Sequence, residues 1–280
     1  MNPLKIGCLQ LNLKKSDNLD YLVESIKNLS NQDPSIDLIV TSELAVGGSG
    51  AKNTNHPLDK YLDIFSDLSR KLNKWLIPGT FYENSSDKIF NTAPVFNNKG
   101  ELITKARKLY PWLPYEIDVD HSDELCVFDI PNKGTVGIHI CYDLWFPETS
   151  RALAMAGAEL IINPTLTPTK DRNIETLMVQ TTAAQQQTYY VDVNSCGDQG
   201  CGLSIVADPD GNIMHKSGSE EDSFVVDIDF NHANKCRRKG FMGLGQNLKS
   251  FRDRPFNLNE DNINYEYLKD LGYLIKADKE

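Results

Sequence analysis

The sequence predicts a layered α/β fold, and three observations carry that expectation. Short apolar runs rich in β-branched residues recur along the chain; segments with apolar residues at helical spacing lie between them; and turn residues punctuate the joints. That alternation is the pattern of sheets covered by helices, and it excludes an all-β or all-α reading.

Residues 5–11 read as the first strand. Over 20–29, Tyr21, Leu22, Ile26 and Leu29 recur at close to helical spacing, with Asp17 or Asn18 placed to cap the helix. The apolar run 36–40 reads as a buried strand that delivers Thr41, Ser42 and Glu43 at its C-terminal end. Gly47, Gly48 and Gly50 then form a loop. Residues 58–74 have helical spacing and 75–82 read as a strand. The next two strands, 89–96 and 101–108, are joined by Asn97-Asn98-Lys99-Gly100, a hairpin signal because asparagine and glycine tolerate positive φ. The last of these brings Lys108 to its end.

An irregular stretch containing Pro111 and Pro114 follows, then strands over 125–130 and 135–140. Residues 147–156 form a helix with Pro147 in its first turn and Gly157 at its end. Residues 160–162 are again a strand, so Cys141 lies between a strand and a helix in a unit that presents a side chain above a sheet. A helix over 175–187 and strands over 189–193, 202–207, 213–215 and 223–228 complete the pattern. Beyond Phe230 the chain is charged and reads as irregular. One domain over 1–280 is expected, because no linker-like stretch interrupts it, with 231–280 as a tail packing on the body or a neighbouring subunit.

Lysine and arginine number 29 against 39 aspartates and glutamates, for a net charge of -10. A surface that acidic repels phosphate backbones, which argues against nucleic acid as a partner. The basic runs 235–239 and 249–254 read as solvated or subunit-contact faces. With 40% hydrophobic and 24% charged residues the composition is that of a globular protein. Cys8, Cys126, Cys141, Cys196, Cys201 and Cys236 are too sparse for a disulfide framework and include no CxxC pair. The N-terminal residues lack the basic and apolar regions of a signal peptide, and no apolar run approaches a bilayer span. No membrane association is expected, and a reducing cytoplasm fits.

Cys141 stands apart from the other cysteines because it follows an apolar strand and precedes a helix whose N-terminal dipole can lower a thiol pKa. Position alone leaves a buried structural cysteine open. Glu43 and Lys108 each end a strand and, taken singly, read more readily as solvated surface charges. What raises all three is the expectation that strand ends of one open sheet converge on one edge, where α/β proteins place ligands.

The pieces Leu38-Ile39-Val40-Thr41-Ser42-Glu43-Leu44, Lys105-Ala106-Arg107-Lys108-Leu109 and Gly137-Ile138-His139-Ile140-Cys141-Tyr142-Asp143-Leu144-Trp145-Phe146-Pro147-Glu148 resemble, in order and spacing, the motifs of the nitrilase superfamily of carbon–nitrogen hydrolases. Phe90-Asn91-Thr92-Ala93, Ile162-Asn163-Pro164, Asn194 and the segment 202–211 extend the resemblance as far as about residue 230. It implies a four-layer αββα sandwich, pairing of subunits into a homodimer or higher homo-oligomer, and a cysteine nucleophile with no cofactor. The implied roles are Glu43 as base, Lys108 as oxyanion stabiliser and Cys141 as nucleophile. Glu116, in Pro114-Tyr115-Glu116, matches a second glutamate that orients the lysine or the hydrolytic water.

The chemistry agrees with those roles. Glu43 takes the thiol proton, Cys141 attacks an amide carbonyl, and Lys108 with the Tyr142 backbone N–H stabilises the oxyanion. A thioester forms and water releases the acid. A small aliphatic amide is the expected substrate. Nitrile hydrolysis through a thioimidate and a catalytically silent binding protein are the alternatives. The segment 183–189, with Gln185, Gln186 and Gln187, departs from the family where many members carry a glutamate and asparagine beside the site. The segment 165–169 also lacks a tryptophan found in several subgroups.

Tyr115, Tyr142, Trp145 and Thr165 are the candidate substrate-contacting residues, with Tyr115 and Trp145 preferred among the aromatics around the site. His139 lies two residues before Cys141, on the same strand face. Its reach is against a dyad, since Cα atoms two apart on a strand are roughly 6 to 7 Å separated with parallel side chains. No histidine shows metal-ligand spacing, so no metal site is expected. The glycine loop 47–50 lacks the ending of a phosphate cradle.

Overall fold

The apolar runs pair into two sheets that face each other across a shared core. The computed structural model describes residues 3–49, 56–113, 115–256 and 263–275, so Gly50 of the glycine loop and Pro114 lie outside the described residues. In chain order the N-terminal half contains β1 (Leu4–Gln10), β2 (Asn12–Leu13), α1 (Leu19–Gln32), β3 (Leu38–Thr41), α2 (Leu62–Leu72), β4 (Trp75–Ile77), β5 (Phe81–Ser85), β6 (Lys88–Phe96) and β7 (Leu102–Arg107). There follow β8 (Cys126–Ile130), β9 (Gly134–Ile138), α3 (Pro147–Met155), β10 (Leu160–Thr165), α4 (Arg172–Gln186), β11 (Tyr189–Asn194), β12 (Cys196–Gly197), β13 (Ile205–Ala207), β14 (Ile213–Lys216) and β15 (Asp222–Ile228). The chain continues through α5 (Phe230–Lys239), α6 (Asn247–Asp253) and α7 (Tyr265–Asp270).

The first sheet has the order β15-β1-β3-β4-β6-β5, with β7 also on β6, and the second runs β14-β13-β11-β10-β9-β8. Strand alternation turns Ile6, Cys8, Leu38 and Val40 of one sheet towards Val136, Ile138, Leu160, Ile162 and Val191 of the other, and together they form the central core. The opposite face of the first sheet packs on α1 and α2 through Leu22, Ile26, Phe65 and Leu68. That of the second packs on the helix layer through Leu153, Val179 and Ala183. The result is the expected αββα sandwich.

Several local expectations change. The run 75–82 is not one strand: it breaks at Pro78-Gly79, where Gly79 has φ +84 and a Cβ would lie 2.1 Å from the Ser42 carbonyl oxygen. Only glycine fits that approach, and it lets Thr80 accept the Leu44 N–H at 3.0 Å, bracing the turn that holds Glu43. Asp17 rather than Asn18 serves the start of α1, since Asn18 turns its amide back to Lys14. The stretch from Phe230, expected to be irregular, carries the three helices α5, α6 and α7 joined by turns among the described residues. Phe230, Ala233 and Cys236 form a narrow apolar stripe on an otherwise charged α5, too little for the surrounding charge to reveal.

Candidate active site

Glu43 and Lys108 are carried by the first sheet, at the ends of β3 and β7, whereas Cys141 follows β9 of the second. This corrects the expectation of three strand ends in one sheet. Sequence shows where a strand ends, but which sheet it joins depends on distant partners. The two sheets meet at the site through the Glu43 N–H, which donates to the Thr165 carbonyl at the end of β10 at 3.2 Å.

Cys141 opens a 3₁₀ turn, Cys141–Trp145, that separates it from α3. Its φ of +48 is unusual for a residue with a side chain and marks backbone held out of its preferred region. Strand alternation therefore ends before it. Ile138 and Ile140 face the central core, while the His139 ring bonds the Tyr190 hydroxyl at 3.0 Å. His139 is fully buried and burial pushes its pKa down to about 3, so it is a neutral core residue.

The turn is braced by Asp143, which accepts the Ile140 N–H at 2.9 Å, the Leu109 N–H at 3.1 Å and the Tyr110 N–H at 2.8 Å. One carboxyl thus ties the cysteine turn to the chain just after Lys108. Burial pushes its pKa up to about 7 in spite of these bonds.

Lys108 is 2% exposed. Its ammonium donates to Glu43 Oε1 at 2.9 Å and to Glu116 Oε2 at 2.8 Å. Burial works against its charge, but Glu116 and Glu43 outweigh it and hold the pKa well above the ordinary lysine value. The two carboxyls part company. Burial raises Glu43 more than Lys108 lowers it. In Glu116 the burial penalty is overcome by Lys108 and by the Trp112 N–H, 2.6 Å from Oε2, and its pKa is lowered. The Cys141 Sγ lies 3.9 Å from the Leu166 carbonyl oxygen and 4.0 Å from Thr167 Oγ1, and its pKa is pushed well up, first by burial and then by Glu43. The expected lowering by the helix dipole is therefore corrected: the turn, rather than α3, adjoins the cysteine, and burial moves the thiol pKa upward instead.

These four side chains line one cavity of about 440 Å³, with Tyr82, Trp112, Tyr115 and Leu166 on its walls. That volume suits a small molecule. On its other side Cys141 borders a recess of about 20 Å³ beside Tyr142, Thr167 and Glu175. Trp145 lies outside the cavity lining and donates its indole N–H to Glu175 at 3.1 Å. Thr165 is 1% exposed and turns its hydroxyl to Asp192 at 3.0 Å, so its side chain is not a cavity contact either. Gln187 ends α4 and bonds the Cys236 carbonyl at 2.8 Å, so the departure in that segment bears on the support of α5. Among the described residues no group of three or more His, Cys, Asp or Glu is arranged to hold a metal ion, and no helix is long and apolar enough to cross a membrane.

Sequence reasoning gave no role to Asn91, Asp143 or Glu175. Asn91 was visible as a polar residue inside the apolar strand β6, and it is fully buried, donating to Glu43 Oε1 at 2.7 Å and Glu116 Oε1 at 3.3 Å. Glu175 sits with Arg172 and Asp192 in a buried ion cluster that no local pattern announces.

Comparison with known proteins agrees with this architecture. Residues 5–238 match the family described as carbon-nitrogen hydrolase. The deaminated glutathione amidase of Dictyostelium discoideum is 26% identical over 221 residues, covering 70% of this chain and 72% of that protein. The human omega-amidase NIT2 is 26% identical over 260 residues, covering 85% and 93%. Among solved structures, Saccharomyces cerevisiae Nit3, a member of branch 10 of the nitrilase superfamily, superposes with a TM-score of 0.77 at 24% identity, over 85% of this chain and 94% of that one. A cysteine-to-alanine mutant of the amidase from Nesterenkonia sp. AN1, in complex with butyramide, gives 0.73 at 21% identity over 85% and 95%. At these identities the structural matches speak for a common fold.

Proposed function

The chain belongs to the carbon-nitrogen hydrolase family, and from that premise we propose that it hydrolyses a small aliphatic amide to a carboxylic acid and ammonia through a thioester on Cys141. The observation that carries this reading is the Lys108 ammonium held between Glu43 and Glu116 at the base of the cavity that Cys141 also lines. The amidase names borne by its relatives, and the butyramide bound in one structural neighbour, fit a substrate of that kind.

In this mechanism Glu43 removes the thiol proton as the sulfur attacks the amide carbon. A carboxylate whose pKa is raised towards that of its substrate acid is a better proton acceptor, and the raised thiol needs one. Lys108 and the Tyr142 backbone N–H stabilise the oxyanion, a donor of this type contributing roughly 3 kcal/mol. Collapse of the tetrahedral intermediate breaks the carbon–nitrogen bond, and the proton held by Glu43 passes to the departing ammonia. Water then attacks the thioester with its proton taken by Glu43, releasing the acid and restoring the thiol. Glu116 orients Lys108 throughout. Tyr115, on the cavity wall, and Tyr142, beside the nucleophile, are the substrate-contacting aromatics of this reading, with Trp112 in place of Trp145.

The proposal extends to a homo-oligomer in a reducing cytoplasm. All six cysteines are free, and Leu244, Tyr273 and Ile275 after α5 are strongly exposed, as on a surface that a second subunit covers. Ammonia release from a panel of aliphatic primary amides, assayed for the wild type and Cys141→Ala, tests the activity. Release by the wild type that disappears in the variant supports it; equal release by both overturns it.

A further inference from the structure

Two carboxyls share one lysine in this site, yet the mechanism asks different things of them: one must move a proton and the other must stay an anion. Asn91 touches both. Its Nδ2 donates to Glu43 Oε1 at 2.7 Å and to Glu116 Oε1 at 3.3 Å, and its backbone carbonyl accepts the Lys108 N–H at 2.8 Å. From β6 its side chain reaches both carboxyls while its backbone holds the chain at Lys108.

The arrangement has a cost that points to function. Asn91 Oδ1 is buried and has no hydrogen-bond partner among the described residues. A buried acceptor left in that condition is unfavourable, and rotating the amide would set that oxygen against two carboxylates. The side chain is therefore oriented by what its NH₂ group does for the carboxyls.

Counting donors separates the two acids. Glu43 Oε1 receives both Asn91 and Lys108, which leaves Oε2 clear of both and available to the Cys141 thiol. Glu116 receives Asn91 on one oxygen and Lys108 with the Trp112 N–H on the other, so it has no oxygen without a donor. We propose that Asn91 is a positioning residue that divides the work of the two carboxyls, pinning Glu43 by one oxygen so that the other serves the thiol, and fixing Glu116 as the permanent anion beside Lys108. This rests on the reading of Cys141 as nucleophile and Glu43 as its base.

The titratable groups around the pair bear on the expected effect, and Lys15, Tyr82, Tyr115, Asp118 and Asp198 line the same cavity. Lys108 faces both carboxyls from the end of β7, and Cys141 faces Glu43 from the turn after β9. Beyond them Asp143 is attracted to Lys108, and Glu175 disfavours the Cys141 thiolate. Removing the Asn91 donor leaves these in place and takes away a hydrogen bond that favours the ionised carboxyls, so Glu43 becomes protonated at higher pH.

The test follows alkylation of Cys141 by iodoacetamide across pH, read on the isolated peptide by mass spectrometry so that the other cysteines do not interfere. It needs no knowledge of the substrate. In Asn91→Ala the rate on the acid side is expected to fall about tenfold while the alkaline plateau stays within about twofold, an acid limb displaced to higher pH. Asn91→Asp, which keeps the shape but replaces the donor with a third carboxyl, displaces the limb further and carries the test if the alanine variant does not fold. A rate lowered equally at every pH, as for a merely structural residue, or an unmoved limb in a folded variant overturns the inference. The parent reading fails separately, if Glu43→Gln leaves the wild-type acid limb in place.

Discussion

The ammonium of Lys108 lies 2.8 Å from Glu116 Oε2, an ion pair almost sealed from solvent and completed by Glu43 on the other side of the same nitrogen. Neither partner could keep its charge in that position alone, because an unpaired buried ion costs several kcal/mol. Charge in the site is therefore a property of the group, and each prediction below removes one member of it or of its surroundings.

Lys108→Met leaves two neighbouring carboxyls without their cation. The variant is expected to be less stable by about 3–5 kcal/mol in urea unfolding at neutral pH. The deficit should shrink as pH falls and the carboxyls protonate. A deficit independent of pH would mean that lost packing, rather than unpaired charge, is the cause.

Glu43 has a pKa raised above its usual 4.5, chiefly by burial. As base it must be ionised, so activity is lost as pH falls through the raised value, and the acid limb of kcat/KM should inflect above 4.5. Glu43→Gln should lower kcat/KM by about 10²-fold or more. The pH profile of ammonia release measures both.

How much of this was legible in the sequence depends on how local the cause is. The strands before Glu43 and Cys141 follow from apolar runs of the right length, and Asn97 to Gly100 announce the hairpin that leads into the strand before Lys108. The division of those strands between two sheets does not, because pairing is decided by residues far apart, such as Leu160 beside both Val136 and Tyr189. Trp145 lies close to Cys141 in sequence and Thr165 ends β10, but their polar atoms are claimed by Glu175 and Asp192, which arrive from α4 and β11. The left-handed backbone at Cys141 likewise overrides the alternation that would have set His139 and the thiol on one face.

His139 makes stability depend on pH. Its folded-state pKa is depressed from 6.5 to about 3, so the unfolded chain binds more protons between those values. Its contribution is fully present above 6.5 and is lost as pH falls towards 3. His139→Asn, which retains an atom for the Tyr190 hydroxyl, should therefore lose less stability than the wild type on going from about pH 7 to about pH 5, by on the order of 2 kcal/mol. Asp143, raised to about 7, pulls in the opposite direction in both proteins and cancels in the comparison. Urea unfolding at the two pH values is the measurement.

The central claim is that Cys141 carries the acyl group, and a covalent intermediate tests it most directly. Rapid acid quench of the enzyme with an excess of the best amide from the panel, followed by mass spectrometry of the peptides, should find the Cys141 peptide heavier by the mass of the amide less ammonia. The adduct should be cleared by hydroxylamine, as a thioester is. Turnover of the amide with no adduct on Cys141, or with an adduct on another residue, would contradict the account.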